Sequence, residues 1–528
     1  MDFVSDFLTV ASVALFLLFS CFCALLAKIF MGKSLMDSRY APVKGTIFHQ
    51  FLHFSRIYDY LTQVARTHQT FRFLAPSHSQ IYTTDPRNIE YVLKTNFDKY
   101  SKGHYNQDIL TDLVGHGIFA ADGDRWRQQR KLASFEFSTR VLKDFSCAVF
   151  RRKAAKLAGI ILEFAITNQT LDIQIDTYIV VLLQDLLMRC TLDSIFKVGF
   201  GMDLDCLGGS SKQGVSFIKA FDESNELVSW RYADPLWKVK RFLNMGSEAK
   251  LKKNIKIIDD LIYELIQSKR KQLSVKGDSN EKEDILSRFI VESEKDPMTL
   301  NDQYLRDIIL NFMFAGKDTT SNTLSWFFYM LCKHPLIQEK IAQEVTEAFN
   351  GEPNEANIDE FVISNLTDAA MEKMHYLHAA LTETLRLYPA VPVDGRCPVE
   401  DDVLPDGFRL RKGDSVLYIA YAMGRMARLW GEDAEDFRPE RWLKNGIFQP
   451  ESPFKFVAFH AGPRMCLGKD FAYRQMKIVA MVLLRFFRFR LADENKAVTY
   501  RTMFTFHING GLQLGAIPRF GLTDSEGI

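Results

Sequence analysis

The segment Phe459-His-Ala-Gly-Pro-Arg-Met-Cys-Leu-Gly468 decides the fold of this sequence. Cys466 stands between two glycines, in a loop that leads into an apolar, helix-like stretch at residues 471–486. The N-terminus of a helix lowers the pKa of a nearby thiol, because its free N–H groups and its dipole favour negative charge. If that sulfur binds a cofactor, Arg464 is positioned to contact an anionic group beside it. A buried structural cysteine, the commonest fate of a free Cys, is the alternative interpretation.

This segment matches the haem-binding signature F-x-x-G-x-R-x-C-x-G at every fixed position, and the chain therefore resembles the cytochrome P450 family. The resemblance implies that Cys466 is the thiolate ligand of the haem iron and that Arg464 binds a haem propionate. Gly462 permits a tight turn, and Gly468 lets a flat cofactor or the backbone approach closely. The cofactor implied is haem b, held without a covalent bond apart from the Cys466 thiolate ligand.

A second motif, Ala315-Gly-Lys-Asp-Thr-Thr320, interrupts the apolar helical run at residues 308–331. Gly, Asp and Thr are poor residues for a helix interior, so their presence lowers stability and calls for a reason. Cleavage of an O–O bond consumes protons, and the hydroxyl of Thr319 with the carboxylate of Asp318 would supply a relay for them. Gly316 would leave room for oxygen beside the helix. A solvated acid next to a helical threonine is the alternative, but the motif resembles the oxygen-activating helix of the family.

A third pair of motifs is Glu383-Thr-Leu-Arg386 and Pro439-Glu-Arg-Trp442. On spacing alone, an acid and a base three residues apart predict only a weak salt bridge on a helix surface. The resemblance implies something different, namely a buried network of Glu383, Arg386 and Arg441 that supports the cysteine loop without transferring protons.

Further haem contacts follow from the resemblance. The family pattern W-x-x-x-R occurs at Trp126 and Arg130, which a helix places one turn apart on the same face. Both residues are expected to address a haem propionate. Arg396 occupies a region where many relatives have another basic propionate contact, and we expect the same role for it.

Composition restricts the class of protein. The 528 residues carry 66 Lys and Arg against 65 Asp and Glu, so the formal net charge is +1 and nothing indicates nucleic-acid binding. A hydrophobic content of 47% is that of a globular chain. The eight cysteines include no CxxC pair, which argues against a zinc site or a disulfide framework and fits a reducing compartment.

The N-terminus predicts a membrane anchor. The uncharged stretch Phe7–Ala27 would span about 32 Å as a helix, enough for a hydrocarbon core of about 30 Å. Asp2 and Asp6 precede it, and basic residues follow it at Lys28, Lys33 and Arg39. The positive-inside rule therefore predicts a single-pass protein of the endoplasmic reticulum membrane whose body faces the cytosol. A cleaved signal peptide is the alternative, but a basic n-region is missing and the apolar stretch is too long.

We expect an anchor at residues 1–31, a linker at 32–45 and one catalytic domain at 46–528. The linker contains the stiff connector Tyr40–Gly45. Helical patterns dominate residues 124–385, with loops expected at Gln272–Asp284 and Gly351–Asp368. Strand-like runs occur towards both ends, at Thr70–Leu74, Gln80–Thr84, Gly407–Leu410, Ser415–Ile419 and Phe504–Leu514. The expected fold is mostly α (α+β): a single cytochrome P450-type helical domain with small peripheral β-sheets.

The resemblance extends to the plant long-chain fatty-acid ω-hydroxylase branch, through Pro42–Gly45, Ala315–Thr320 and Gly462–Arg464. It implies a haem-thiolate monooxygenase that hydroxylates long-chain fatty acids at or near the terminal carbon. Animal ω-hydroxylases often carry a Glu that esterifies the haem where this chain has Ala315, so no covalent haem link is expected. By resemblance, the walls of the substrate site are Ile109, Leu113, Phe119, Phe312, Val391 and Phe504.

Other functions remain open at this point. The same machinery would serve a hydroxylase of terpenoids or sterols, and a haem protein that binds gas or lipid without turnover is a different class. A dehydratase or isomerase of peroxides would need neither protons nor electrons, whereas Asp318 and Thr319 indicate proton delivery. Electrons are expected from NADPH through a separate NADPH–cytochrome P450 reductase, docked on a basic patch at Arg125, Arg127, Lys131, Lys469 and Arg474. The other expected partners are membrane lipid and an apolar small-molecule substrate.

Overall fold

A computed structural model describes residues 2–76, 78–138, 140–168, 179–209, 212–276, 284–298, 300–349 and 358–519. Helices make up 62% of the chain and the strands are short, which confirms the predicted mostly α fold with small sheets.

The α-helices, in chain order, are α1 (Asp2–Phe30), α2 (Ile47–Leu52), α3 (Ile57–Thr67), α4 (Pro86–Glu90), α5 (His104–Val114), α6 (Gly123–Ser138), α7 (Arg140–Asn168), α8 (Leu183–Phe200), α9 (Lys212–Trp230), α10 (Trp237–Phe242), α11 (Gly246–Lys276), α12 (Ile285–Lys295), α13 (Asp302–Lys333), α14 (Pro335–Ala348), α15 (Ile358–Asn365), α16 (Asp368–Lys373), α17 (His375–Leu387), α18 (Ala420–Met423), α19 (Ala427–Trp430) and α20 (Lys469–Phe486). The strands are β1 (Val43–Thr46), β2 (Thr70–Leu74), β3 (Ser79–Thr83), β4 (Tyr100–Ser101), β5 (Ile179–Leu182), β6 (Asp394–Pro398), β7 (Asp402–Val403), β8 (Arg409–Leu410), β9 (Ser415–Tyr418), β10 (Leu443–Lys444), β11 (Ile447–Phe448), β12 (Phe487–Leu491), β13 (Tyr500–Arg501), β14 (His507–Ile508) and β15 (Gln513–Pro518). Single helical turns occur at Phe54–Arg56, Tyr91–Thr95, Phe97–Lys99, Pro439–Trp442 and Gly462–Arg464.

The chain forms two compact units. The first comprises Met1–Gly103, Val393–Met423 and Ala461–Arg464. The second comprises His104–Pro392, Gly424–His460 and Met465–Ile528. Both units are assembled from segments that lie far apart in the sequence.

The first unit is built on a six-stranded sheet in the order β1-β2-β3-β9-β6-β4. Strands β2 and β3 form an antiparallel pair whose residues are all buried, and the rings of Phe71 and Tyr82 stack across it with centroids 5.3 Å apart. Buried aromatic cross-strand pairs of this kind stabilise a sheet, which explains why the strands at 70–84 were visible in the sequence. Strand β1 runs parallel to β2, so the end of the expected connector, Val43–Gly45, lies in the sheet.

Helix α1 agrees with the predicted membrane anchor. Its segment Thr9–Phe30 has a mean hydropathy of 2.6, and most of its described side chains are exposed, although Ile29 near its end is buried. By length and composition, this helix fits a membrane span.

The second unit surrounds helix α13, which is buried along most of its length. Asn301 caps its N-terminus, where the side-chain oxygen accepts a hydrogen bond of 3.1 Å from the N–H of Tyr304. The helix ends at Lys333, shortly before Pro335 begins α14, because proline disfavours a helical residue before it. A smaller sheet in the order β12-β15-β5 belongs to the same unit.

Parts of this unit differ from the sequence prediction. Strand β5 was not expected, and it pairs antiparallel with β15 at the other end of the chain. Helix α15 lies inside the segment that was expected to be a loop at Gly351–Asp368, and α11 continues to Lys276. Residues 277–283 and 351–357 of the two expected loops lie outside the described residues.

Glu383 on α17 is the centre of a buried polar network. Its carboxylate accepts hydrogen bonds of 2.7 and 2.8 Å from the guanidinium of Arg386, and both side chains are fully buried. The indole of Trp442 donates a further bond of 2.8 Å, and the guanidinium of Arg441 one of 3.4 Å. The structure thus brings together the three residues that were expected to form the network.

Helix α17 also contacts the residues that flank Cys466. The hydroxyls of Thr382 and Tyr473 lie 2.9 Å apart, which joins α17 to α20. The ring of Tyr473 stacks on His378 with centroids 4.2 Å apart and lies 5.3 Å from the ring of Phe459. The network helix is therefore connected to both ends of the cysteine segment.

We predict that Glu383→Ala lowers the free energy of unfolding by about 3–5 kcal/mol, because Arg386 would remain buried without its carboxylate. Denaturant unfolding of the detergent-solubilised protein, followed by far-ultraviolet circular dichroism, would measure the loss.

A matched control is Lys94→Ala, which removes the exposed Lys94–Glu90 pair with its 3.3 Å separation. An exposed helix pair of this spacing contributes only about 0.3–0.5 kcal/mol. Equal losses in the two variants would contradict a stabilising role for the Glu383 network.

Candidate active site

Cys466 lies at the start of α20 in a defined loop. Its N–H donates a 2.9 Å hydrogen bond to the carbonyl of Phe459, which closes the loop. Burial raises the pKa of the Cys466 thiol, although the N–H of Gly468 and the charge of Arg130 oppose the shift. Such a sulfur loses its proton when a metal ion takes the proton's place. The donor chemistry therefore fits the haem iron that the resemblance implies.

Gly462 is required by the shape of this loop. Its φ of +66° lies in the left-handed region, and a Cβ there would come 1.9 Å from the carbonyl oxygen of Leu93. No other residue would fit without moving the backbone. By contrast, a Cβ at Gly468 would lie 4.0 Å from the sulfur of Cys466, an ordinary van der Waals distance.

Helix α6 carries the predicted pair Trp126 and Arg130 one turn apart. The indole of Trp126 is buried, whereas the guanidinium of Arg130 is partly accessible. Burial lowers the pKa of Arg130, and the charge of Cys466 acts in the opposite direction. Arg130 therefore lies close enough to Cys466 for the two charges to interact.

The first unit contains a cluster of cations around one carboxylate, in which Arg396 is buried and Lys102 and Arg464 are partly buried. Asp394 accepts a 3.0 Å bond from Arg396, bonds of 3.0 and 3.2 Å from Lys102, and a 2.9 Å bond from the hydroxyl of Tyr418. Burial, together with the nearby charges of Arg396 and Arg464, lowers the pKa of Lys102 to about 8, although Asp394 opposes the shift. Two cations thus share one carboxylate, and the charge of Arg464 lies close to them.

This excess of buried and partly buried positive charge is a test of the implied cofactor. A buried cation is stable only if an anion or hydrogen-bond acceptors compensate it. Haem carries two propionate carboxylates, and the cluster of Lys102, Arg396 and Arg464 fits such groups. Lys102 had not been singled out in the sequence. It joins the cluster because β4, which ends one residue before it, pairs with β6.

Helix α13 presents a partly accessible face at the predicted oxygen-activating motif. Ala315, Gly316 and Thr319 are partly accessible, whereas Lys317 and Asp318 are buried. The hydroxyl of Thr319 donates a 2.5 Å hydrogen bond to the carbonyl of Ala315, as helical threonines often do. A small molecule can thus reach Thr319 but not Asp318.

The structure gives Gly316 a role in helix packing. A Cβ at Gly316 would lie 2.9 Å from the side chain of Ile195 on α8. The missing side chain therefore lets α8 approach α13 closely.

Asp318 lies in a buried ion network that the sequence did not reveal. Its carboxylate accepts bonds of 2.8 Å from Lys317 and 2.9 Å from the amide of Asn225, and His507 lies 3.7 Å away. Lys317 also pairs with Asp222 on α9. Burial alone would raise the pKa of Asp318, but Lys317 and His507 outweigh it and hold the pKa below its usual value.

The two residues of the predicted relay therefore face different surroundings. Within the described residues, no hydrogen bond joins Asp318 to the hydroxyl of Thr319. The carboxylate faces α9, while the hydroxyl lies on the accessible face. A proton could pass between them only through water or through a change of side-chain rotamer.

Two of the predicted substrate residues belong to one aromatic cluster. The ring of Phe314 lies 6.0 Å from Phe119 and 6.2 Å from Phe504, measured between centroids. Phe221 on α9 completes the cluster at 6.1 Å from Phe314. Phe119, Phe314 and Phe504 are partly accessible. Phe314, which was not predicted, is the residue that connects the others.

The remaining predicted walls have other surroundings. Phe312 packs against Phe137 and Phe289, at centroid distances of 5.8 and 6.0 Å. Ile109 and Leu113 of α5 are fully buried and so present no surface, whereas Val391 is partly accessible.

Comparison with known proteins agrees with these features. The family model described as Cytochrome P450 matches residues 39–512. Cytochrome P450 704C1 of Pinus taeda is 52% identical, over 91% of this chain and 92% of the relative. Cytochrome P450 704B1 of Arabidopsis thaliana is 43% identical, over 90% and 93% of the two chains. Cytochrome P450 86B1 of the same plant is 40% identical, over 88% and 82%. With its cysteine loop intact and the match extending over most of its length, this chain belongs to the cytochrome P450 family of haem-thiolate monooxygenases.

Proposed function

We propose that this P450 hydroxylates long-chain fatty acids at or near the terminal carbon. The observation that carries the proposal is the partly accessible aromatic cluster of Phe119, Phe314 and Phe504, which provides an apolar wall beside α13. The resemblance to the plant ω-hydroxylase branch at Pro42–Gly45 and Ala315–Thr320 supports the same substrate class.

The residues proposed to hold the haem are those whose chemistry fits it. Cys466 would bind the iron, and Trp126, Arg130, Arg396 and Arg464 would address the propionates, with Lys102 as an additional cation. Bound haem supplies the reductive activation of O2, and thiolate ligation favours cleavage of the O–O bond.

Thr319 and Asp318 have distinct proposed roles in proton delivery. The Thr319 hydroxyl, which can turn from the Ala315 carbonyl towards the accessible face, would donate the proton at the site. Asp318 would receive protons on the buried side, where Lys317 holds its carboxylate in place. Water or a rotamer change would complete the path between them.

Selectivity for the terminal carbon must come from the shape of the substrate site. A methyl C–H bond is stronger than a methylene C–H bond, so intrinsic reactivity favours attack further along the chain. The rings of Phe119, Phe314 and Phe504 would narrow the substrate site, so that only the end of the alkyl chain could enter and water would be excluded.

The proposed electron donor is NADPH–cytochrome P450 reductase, since the family requires a redox partner. Arg125, Arg127 and Lys131 are accessible on α6 and would attract an acidic partner. We further propose that α1 anchors the protein in the endoplasmic reticulum membrane with its body in the cytosol, because basic residues follow the apolar stretch.

The reductase-coupled protein is predicted to oxidise saturated and unsaturated long-chain fatty acids at the terminal carbon, as judged by mass spectrometry of the products. Phe314→Ala should lower the ratio of terminal to inner products by about tenfold, because the chain could move further in. Phe164→Ala, which removes an exposed ring on α7, is the control and should leave that ratio unchanged. Turnover of terpenoids or sterols with no turnover of fatty acids would refute the proposal.

Cys466→Ser should abolish the long-wavelength Soret band that thiolate ligation gives the reduced carbon monoxide complex. The reason is that a serine hydroxyl does not replace the thiolate as an electron donor to iron. Cys332→Ser is the matched control, since this cysteine is also partly accessible but lies at the end of α13. An unchanged band in Cys466→Ser would exclude Cys466 as the ligand.

Thr319→Ala should leave fatty-acid binding nearly intact but lower product per NADPH by about tenfold or more, with hydrogen peroxide released instead. The hydroxyl adds little contact to an alkyl chain, so the loss should occur in proton delivery. Substrate titration, NADPH loss, peroxide and product would be followed together. Thr323→Ala removes an equivalent hydroxyl–carbonyl bond, of 2.7 Å, one turn further along and should stay coupled. Full coupling in Thr319→Ala would make this residue structural.

A further inference from the structure

A polar cavity of about 140 Å³ lies in the first unit, close to the end of the anchor helix. Its lining includes Lys33, Tyr40, Arg72, Arg411 and Asp414. A cavity needs only about 10–15 Å³ of this kind to hold one water molecule, so this one has room for a small polyatomic anion.

Arg72 is the most unusual residue of the cavity, because its charge is buried without a counter-ion. Its side chain is 3% exposed, and its guanidinium donates bonds of 2.8 and 2.9 Å to the carbonyls of Lys33 and Ser34. Among the described residues, no carboxylate lies within 4.0 Å of it, and its buried Nε has no hydrogen-bond partner. A buried guanidinium in this state lacks an anion.

Arg411 is held in a similar way. Its Nε donates a 3.3 Å bond to the hydroxyl of Tyr40, and its other nitrogens bind the carbonyl of Gly32 and the hydroxyl of Ser34. Its guanidinium also lies 5.1 Å from the centre of the Tyr40 ring. The acceptors that orient Arg411 are neutral, so they do not compensate its charge.

The single carboxylate of the cavity is already engaged. Asp414 accepts bonds of 2.8 Å from the N–H of Ser79 and 3.0 Å from the N–H of Arg411. Neighbouring His78 adds no charge at neutral pH, because burial, aided by Lys33, lowers its pKa to about 4.

The lining therefore has a strong charge imbalance. Lys33, Arg72, Arg411 and Lys412 contribute four cations, and Asp414 contributes one anion. Lys412 is exposed and Lys33 is partly exposed, so an anion can enter from solvent. Guanidinium and ammonium groups arranged in this way bind phosphate well, because they combine charge with several N–H donors.

The position of the cavity indicates where such an anion would come from. Helix α1 ends at Phe30, and Lys33 follows three residues later. If α1 spans the bilayer, Lys33 lies at the level of the lipid headgroups, where basic residues attract anionic lipids. Arg72 and Arg411 hold the backbone of residues 32–34, so the cavity and the end of the anchor are linked directly.

We propose that this cavity binds a terminal phosphate group, that is, a phosphate monoester with close to two negative charges. A monoester is small enough to enter and carries the charge that the buried arginines lack. An anionic phospholipid headgroup or a soluble phosphate ester would supply it. This binding is independent of the substrate and the reaction proposed above.

The test uses the full-length, haem-loaded protein in nanodiscs of phosphatidylcholine, with part of the lipid replaced by either phosphatidic acid or the same fraction of phosphatidylserine. Native mass spectrometry would measure the lipid that the protein retains. The wild type should retain phosphatidic acid over phosphatidylserine, because only the former has a terminal phosphate. The double variant Lys33→Gln and Lys412→Gln should lower this retention by about tenfold or more.

The matched control is Lys44→Gln with Lys444→Gln, which removes the same charge at two exposed lysines outside the cavity and should retain lipid like the wild type.

Calorimetry with inorganic phosphate and glycerol 3-phosphate in detergent forms the second arm. Binding there that depends on Lys33 and Lys412, without a lipid preference, would identify a soluble phosphate ester as the source. Equal behaviour of the cavity and control variants in both arms would overturn the proposal. Haem content and circular dichroism would show that all variants are folded.

Discussion

The local structure of the second unit depends on the hydrogen bonds that the fully buried carboxylate of Glu383 accepts. Transfer of a carboxylate out of water costs several kcal/mol, and only full use of its acceptor sites offsets this cost. Here Arg386, the indole of Trp442 and the N–H of Arg438 all donate to it. Because these donors come from two separate segments, the charge fixes the segment at residues 438–442 against α17. Arg386 extends the same constraint to three further carbonyls, those of Gly424, Ala434 and Asp436.

The same reasoning explains how a chain with a net charge of only +1 contains both charge-balanced clusters and clusters with excess positive charge. Around Glu383, charge and donors are balanced, and the result is a rigid scaffold. Around Asp394, cations exceed carboxylates, and the proposed propionate site follows from that excess. The cavity at Arg72 has a still larger imbalance with its only carboxylate engaged by backbone N–H groups. Local imbalance, and not total charge, marks the places where an anion is needed.

The sequence predicted those features that short, contiguous segments determine. The cysteine loop is one example, because the left-handed φ of Gly462 and the turn into α20 follow from local residue types. Strand β2 is another, since all of its residues are buried and the rings of Phe71 and Phe73 share one of its faces. Lys102 and Phe314 were missed because their roles depend on partners far away in the chain, at Asp394 and at Phe504. Nothing in the local sequence distinguishes such a lysine or phenylalanine from a surface or core residue.

Asp318 and Thr319 show why adjacency in a motif is a poor guide to geometry. Successive residues of an α-helix point about 100° apart, so neighbours in sequence face different surroundings. Asp318 faces α9 and is held by Lys317 and Asn225, while the Thr319 hydroxyl bonds back to its own helix at the accessible face. A carboxylate on the accessible face would expose a permanent charge to an apolar substrate and would carry a desolvation cost each time the substrate bound. Placing the charge behind the helix, paired with Lys317, avoids that cost and leaves only a neutral hydroxyl beside the substrate. In the function proposed above, the separation of the two groups would allow one helix to serve both proton delivery and the binding of an apolar chain.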